Sequence, residues 1–428
     1  MINKPKPSLL ALLPLLVFFI LYLTVSVVVG DFYKMPITVA FVIASITAVL
    51  MCSGVPFNER IKHFSKGASD SNIMLMVWIF ILAGAFAQSA KAMGAVEATV
   101  NLTMDLLPSN MLLVGIFTAA CFISFSVGTS VGTIVALVPI ATGIAPKIGV
   151  DISYITAIIV GGAFFGDNLS FISDTTIAAT QSQGCTMRDK FRANIKIVLP
   201  AAIIAAIIYI IQGTQLEYLT AARRIEWLKV VPYTSVIIFA IMGLNVMKVL
   251  VIGITLCGVI GITTQGFTIW EYSQAMGEGM GSMGELIIIT ILAGGLLELI
   301  RIKGGMEWLI INLTRRVNNK RMAEFSIASL VSVANLCTAN NTVAIITTGE
   351  ISKDISKRFN IAPRRTASLM DTFSCFIQGL LPYGAQLLMA SQLSGATPPE
   401  IISSLYYPML IGACGVLAII FRIPRRYA

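Results

Sequence analysis

The 428-residue sequence predicts an all-α polytopic membrane protein built as two inverted-topology repeats, with about 10 crossings and 2 re-entrant or broken hairpins. Three observations carry that reading. Composition is the first: 56% of residues belong to the AVILMFWYC set and 12% are charged, against about 25% in soluble domains, and the mean hydropathy is +0.85. A span needs about 20 mainly apolar residues, so spans and short polar gaps use up the chain and leave no large soluble domain. The second is a pair of polar, glycine-bearing breaks inside apolar runs. The third is a motif that returns 210 residues later in the same order.

The composition also removes whole classes of function. Soluble enzymology and a nucleic-acid partner are excluded, and the formal +9 charge, from 30 Lys+Arg against 21 Asp+Glu, reads as membrane orientation. Seven cysteines without a CxxC or Cys/His spacing, and the single His63, indicate neither a disulfide framework nor a zinc site, and no cofactor is implied. Lys4 and Lys6 ahead of the apolar run 8–29 resemble a signal peptide. That run outlasts an h-region of about 7–15 residues and lacks a small-x-small cleavage site, so it reads as a retained first span.

Apolar segments follow at 36–54, 72–92, 110–127, 130–146, 152–182, 195–212, 232–244, 246–264, 285–301, 324–350, 366–394 and 401–421. The run 110–146 is broken at Ser126-Val127-Gly128-Thr129-Ser130-Val131-Gly132-Thr133, and 324–350 at Asn335-Leu336-Cys337-Thr338-Ala339-Asn340-Asn341-Thr342. Such breaks survive at membrane depth only where they are buried in protein or line a wet cavity. Both are read as re-entrant hairpins, although two short complete spans give the same topology. Segment 55–67, with Phe57, Ile61 and Phe64 among Arg60, Lys62 and Lys66, reads as an amphipathic surface helix. With both termini inside, the cytoplasmic segments hold 24 of the 30 basic residues; Lys34, Lys91, Lys147, Arg223, Arg224 and Lys229 fall outside. This places the chain as an integral membrane protein with both termini on the cytoplasmic side.

The repeat divides the chain into 1–213, an extracytoplasmic linker 214–231, and 232–428. Ile81-Leu82-Ala83-Gly84, then Gly94 and Glu97, returns as Ile291-Leu292-Ala293-Gly294, then Gly304 and Glu307. Each half then reaches a broken hairpin, where Thr129 matches Thr338 and Thr133 matches Thr342 at an offset of 209. The first half makes an odd number of crossings, so the second starts on the opposite face. That arrangement marks secondary transporters with a site near the midplane.

The candidate site is the stretch Gly161 to Thr176. It sets Asp167, Asn168, Ser170, Ser173, Asp174, Thr175 and Thr176 within a span, where each charged residue costs about 2.5–3.5 kcal/mol on insertion scales. On a continuous helix, Asp167 and Asp174 would share one face two turns apart. The alternative is a helix end whose carboxylates cap backbone N–H groups or face water. Carboxylate, amide and hydroxyl oxygens suit a small hard cation such as Na⁺. The hairpins add Thr129, Ser130 and Thr133 in the first half and Thr338, Asn340, Asn341 and Thr342 in the second. Packing of helices through small residues is the alternative there. Asp371 opens the equivalent stretch of the second half, which lacks the acidic pair and breaks near Gly379 to Gln386. No Lys or Arg is expected at mid-membrane depth.

The strings Gly128-Thr129-Ser130-Val131-Gly132-Thr133 with Pro139, and Gly166-Asp167-Asn168-x-Ser170-x-x-Ser173-Asp174-Thr175-Thr176, resemble the NhaC-type sodium/proton antiporters of the ion transporter superfamily. The resemblance spans nearly the whole chain. It implies a bacterial inner-membrane antiporter in which each inverted repeat holds a hairpin and a discontinuous helix. It departs from the family at Phe171, where Pro is common, and at Val131, where an aromatic is usual; these positions bear on substrate more than on fold. The expected function is Na⁺/H⁺ antiport, with Asp167 and Asp174 as the exchange centre. Na⁺ and H⁺ are the expected partners, beside the lipid bilayer, with Li⁺ and a second copy of the chain left open. The rival reading keeps the fold and moves a small organic anion or amino acid coupled to Na⁺ or H⁺, as in malate/lactate exchange. A third class, an intramembrane aspartyl protease, lacks a Tyr-Asp partner motif anywhere in the chain, so no enzyme is expected.

Overall fold

The computed structural model describes residues 6–423, apart from 30–34, 53, 107, 172, 215, 217–225, 243 and 315–316. Among them there is no strand. Seven helical segments are long and apolar enough to cross a membrane, and five shorter apolar helices accompany them. The first half runs α1 (Leu13–Val29), α2 (Ile37–Met51), α3 (Phe57–Ala68), α4 (Ser71–Met93) and α5 (Ala95–Leu106). It continues through a hairpin, α6 (Leu112–Val127) and α7 (Ser130–Ile148), an interrupted helix, α8 (Ile152–Leu169) and α9 (Asp174–Gln183), and α10 (Met187–Gly213). The second half follows the same plan with α11 (Trp227–Ile241), α12 (Val246–Thr263), α13 (Ile269–Ser282), α14 (Gly284–Ile302) and α15 (Gly305–Thr314). Its hairpin is α16 (Lys320–Thr338) and α17 (Asn341–Arg358), its interrupted helix α18 (Pro363–Leu380) and α19 (Ala385–Ser394), and α20 (Pro398–Ser403) and α21 (Tyr406–Ile420) close the chain.

The breaks keep one register. Val127 and Thr338, Ser130 and Asn341, Leu169 and Leu380, and Asp174 and Ala385 are all 211 residues apart. The 209-residue match of threonines is therefore two short: Thr129 holds the N-cap position of α7 as Asn340 holds that of α17. The two hairpin turns correspond as well, since Gly128 and Ala339 are both left-handed, with φ of 75° and 50°. Hydrogen bonds repeat at the same spacing: Ser124 Oγ donates to the Ala163 carbonyl (2.5 Å) as Asn335 Nδ2 donates to that of Ser374 (2.7 Å).

The two halves pack into each other. In the first, α3 lies on α14; in exchange, α13 lies on α4. Both crossings are made by glycine. A Cβ on Gly84 would stand 2.1 Å from the Gly279 carbonyl oxygen, one on Gly279 2.1 Å from that of Gly84, and one on Gly67 2.4 Å from that of Gly294. The repeated Ile-Leu-Ala-Gly motif thus supplies one glycine of each crossing. The interrupted helices exchange in the same way, with α9 against α17 and α19 against α7.

Three helices fall where hydropathy gives no span. The gap left between the apolar runs 246–264 and 285–301 is mostly α13, started by a capping box between Thr268 and Glu271. Helices α5 and α15 carry Glu97 and Glu307 in their first turns, and their lengths of 12 and 10 residues are too short for a hydropathy window of about 19 residues. Helix α3 is amphipathic as expected, but it is docked on α14 through Gly67 and Phe64. Most of the 214–231 linker and both chain ends lie outside the described residues, and α11 already begins at Trp227, within the expected linker.

Leucine at Gly279 must force α13 from α4. Overpacking of this kind costs about 1–3 kcal/mol, so Gly279→Leu should lower the melting temperature in detergent. Gly281→Ala on the same helix meets no atom within 4 Å and should leave it unchanged or slightly higher, because alanine favours the helix.

Candidate functional site

The first helix interruption leaves Asp167 in the last turn of α8 and Asp174 at the first position of α9, with Ser173 as its N-cap. The two aspartates therefore flank a break and do not share the face of a continuous helix. Close packing brings the break to the hairpin. Gly166 lies against Ser124 of α6 so tightly that a Cβ would stand 2.1 Å from Ser124 Oγ. One residue on, the Asp167 carboxylate meets the N-terminus of α7: Ser130 N–H donates to Oδ1 (2.9 Å) and Ser130 Oγ to Oδ2 (2.5 Å). The free N–H groups and the positive dipole end of α7 thus face a carboxylate from another helix.

The broken backbone is held by side chains. Ser173 Oγ (2.6 Å) and Thr175 Oγ1 (2.9 Å) both donate to the Asp167 carbonyl. The next carbonyl, of Asn168, accepts from Lys190 Nζ (2.5 Å) and Asn194 Nδ2 (2.7 Å). Lys190 also reaches Thr176 Oγ1 (2.8 Å) and forms an ion pair with Asp371 (2.6 Å), with both side chains almost fully buried, at 1% and 0% exposure. Lys190 was expected in a cytoplasmic segment; it is inside the protein, against the expectation of no basic residue at the core. Arg365, likewise expected in a cytoplasmic segment, is buried in a two-pronged pair with Glu324 (3.0 and 3.1 Å).

The second half closes on the same place. Gln386 Nε2 donates to Ser130 Oγ (3.0 Å), and Gln378 Nε2 donates to Gln386 Oε1 (2.9 Å) and to the Ala339 carbonyl at the second hairpin turn (3.0 Å). Asn340 Oδ1 caps α17 by accepting from Val343 N–H (3.0 Å), and Asn341 Oδ1 accepts from Thr342 N–H (3.1 Å).

These tips and breaks border a cavity of about 650 Å³. Among the candidates taken from sequence, Asp167, Asp174, Thr175, Thr129, Ser130, Asn340, Asn341 and Thr342 line it. Asn168, Ser170, Ser173, Thr176, Thr133, Thr338 and Asp371 do not. Asn168 turns away toward Asn194 and the Asp371 carbonyl, and Thr133 and Thr338 bond to the hairpin backbone. Glu350, Gln181 and Ser182 of the cavity wall were not among the expected site residues, and Gln386 was named only as the end of the second break. Their signal was present, since each is a polar residue on a helix joined to a break.

Charge singles out one group. Among the described residues the buried carboxylates are Asp167, Glu298, Glu324 and Asp371. Glu298 faces Lys66 (3.4 Å) and Arg301 (3.3 Å), Glu324 faces Arg365, and Asp371 faces Lys190. Asp167 alone has no Lys or Arg within ion-pair distance, and it borders the cavity.

Comparison with known proteins agrees with this architecture. The Na⁺/H⁺ antiporter family matches residues 6–214 and 219–423. The chain is similar to the malate-2H⁺/Na⁺-lactate antiporter of Bacillus subtilis (strain 168), at 22% identity over 82% of each chain. It is similar at 24% identity to the Na⁺/H⁺ antiporter NhaC of the same organism, covering 82% of this chain and 84% of that one. Identity is also 24% to NhaC of Alkalihalophilus pseudofirmus (strain ATCC BAA-2126 / JCM 17055 / OF4), over 64% of each chain. This polytopic helical chain belongs to the Na⁺/H⁺ antiporter family.

Proposed function

We propose that the protein exchanges Na⁺ for H⁺ across the bacterial inner membrane, with Asp167 as the group for which the two ions compete and Asp174 beside it on the cavity wall. One observation carries this reading: Asp167 is the buried carboxylate that no basic side chain neutralises, and it borders a cavity shared by both halves. A carboxylate removed from water without a counter-ion is costly; it takes up a proton or a cation. An ionised carboxylate has about four acceptor sites, of which Ser130 uses two, so two remain for an ion on the cavity side. Thr129, Asp174, Thr175, Asn340 and Asn341 offer further oxygens of the kind hard cations bind.

Orientation follows from charge. The cavity wall continues along α9 and α17 to Gln181, Ser182 and Glu350, next to the basic stretches 188–196 and 353–365. With these on the cytoplasmic side, and both termini with them, the cavity opens inward. On the counterpart side, α14 and α19 border a cavity of about 200 Å³ and α7 and α19 border one of about 450 Å³. Exchange of these two arrangements between the inverted halves would carry the site from one face to the other.

A second reading has its own support. A space of 650 Å³ far exceeds a bare ion, and the amide nitrogen of Asn341, buried at its edge, has no partner. An organic anion co-transported with Na⁺ or H⁺ would use both.

In proteoliposomes with an acid interior, NaCl should drive proton efflux that KCl does not, without organic solute. Asp167→Asn should abolish it, a loss of at least about 100-fold if the carboxylate is the exchange group. Efflux that requires a carboxylate or amino acid would establish the second reading instead. Because one proton and one Na⁺ compete for the same group, the half-saturating Na⁺ concentration should rise by up to about tenfold for each unit of falling pH on the acid limb. A constant half-saturating concentration would exclude direct competition.

A further inference from the structure

Lys190 is placed against its local preferences. It lies in the first turn of α10, where the helix dipole disfavours a positive charge, and its ammonium is buried. What holds it there is a set of oxygens. Nζ meets the Asn168 carbonyl at 2.5 Å, Thr176 Oγ1 at 2.8 Å and the Asp371 carboxylate at 2.6 Å. Nζ thus has three oxygens around it, two as hydrogen-bond acceptors and the third in an ion pair, drawn from α8, α9 and α18. A main-chain carbonyl at the end of a broken helix, a hydroxyl and a carboxylate are also the donor types a desolvated alkali cation takes. The cage is braced from behind: Asn194 Nδ2 donates to the same Asn168 carbonyl, and Ser368 (2.8 Å) and Thr372 (2.9 Å) donate to Asn194 Oδ1.

The internal repeat isolates the role of the charge. At the 211-residue spacing, Lys190 corresponds to Ile401 and Asp371 to Val160, both fully buried. The same position in the other half is therefore filled by an apolar pair, so the architecture as such does not call for ions.

We propose that the Lys190 ammonium is the resident occupant of a second cation cage, holding the place beside Asp371 that a Na⁺ would otherwise take. It rests on the Asp167 reading only in its corollary, that exchange is thereby limited to the one ion at Asp167. The cage would accept a monovalent cation of Na⁺ size once the lysine is shortened.

The test counts Na⁺ bound per chain at saturation, by equilibrium dialysis with radiolabelled Na⁺ on the purified full chain in detergent. Lys190→Ala should bind one Na⁺ more than wild type, and Lys190→Gln, which keeps an N–H for the Asn168 carbonyl, should gain one as well. Lys190→Ala/Asp371→Leu, which rebuilds the apolar pair of the other half, should return to the wild-type count. A folded Lys190→Ala or Lys190→Gln protein with no gain overturns the proposal. If the single variants survive purification only in Na⁺ and not in choline, the cage is taking the ion; loss in both salts overturns the proposal. Asp167→Asn separates the two readings: an unchanged count there refutes Asp167 as the exchange group, and leaves the gain at Lys190 to stand or fall by itself.

Discussion

Two helices of this protein are cut within the packed protein, and each cut exposes backbone N–H and C=O groups that need partners there. The rest of the structure is arranged around answering them. Ser130 N–H at the start of α7 finds the Asp167 carboxylate, the Asp167 carbonyl finds two hydroxyls, and the Asn168 carbonyl finds Lys190 and Asn194. In the second half, the Ala339 carbonyl finds Gln378. Of the residues that repair the breaks, Ser130, Asp167 and Thr175 also line the cavity. A hairpin tip can approach a broken helix this closely only where side chains are small, which is why Gly166 and Ser124 are at the contact.

The two halves share a frame and differ in charge. At the common spacing Asp167 corresponds to Gln378, Asp174 to Ala385 and Lys190 to Ile401. Gln378 still ties its hairpin turn to the break, so the mechanical part of the design is kept in both halves. The ionic part is kept in one. On the proposed reading this division is economical: a symmetric frame can take up two mirror arrangements of nearly equal energy, while a single buried carboxylate outside any ion pair would give the ions one place to compete.

Much of this was legible in the sequence, because carboxylates, amides and glycines inside apolar runs are expensive and so stand out. Asp167, Asp174 and both hairpin tips were visible on that ground, as was the glycine that each half contributes to the α3–α14 and α4–α13 crossings. The register of the repeat was read two residues short, since matching identical threonines aligns side chains, whereas the structure aligns helix caps, threonine in one half and asparagine in the other. Lys190 and Arg365 were counted among loop charges because the charge rule for topology does not distinguish a solvated lysine from one whose partner is distant in sequence; Asp371 lies 181 positions after Lys190. Helix α13 was missed for a related reason. Its acidic residues face out, and its close approach to α4 rests on Gly279 meeting Gly84, which leaves no trace in hydropathy.

The central claim is that one buried carboxylate holds either a proton or a sodium ion. Proton release on Na⁺ addition tests it most directly, measured with a pH indicator on purified protein in weakly buffered detergent solution near neutral pH. The account predicts up to about one proton released per chain for wild type and none for Asp167→Asn. Equal release from both proteins, or none from wild type over the whole pH range in which it stays folded, would contradict it.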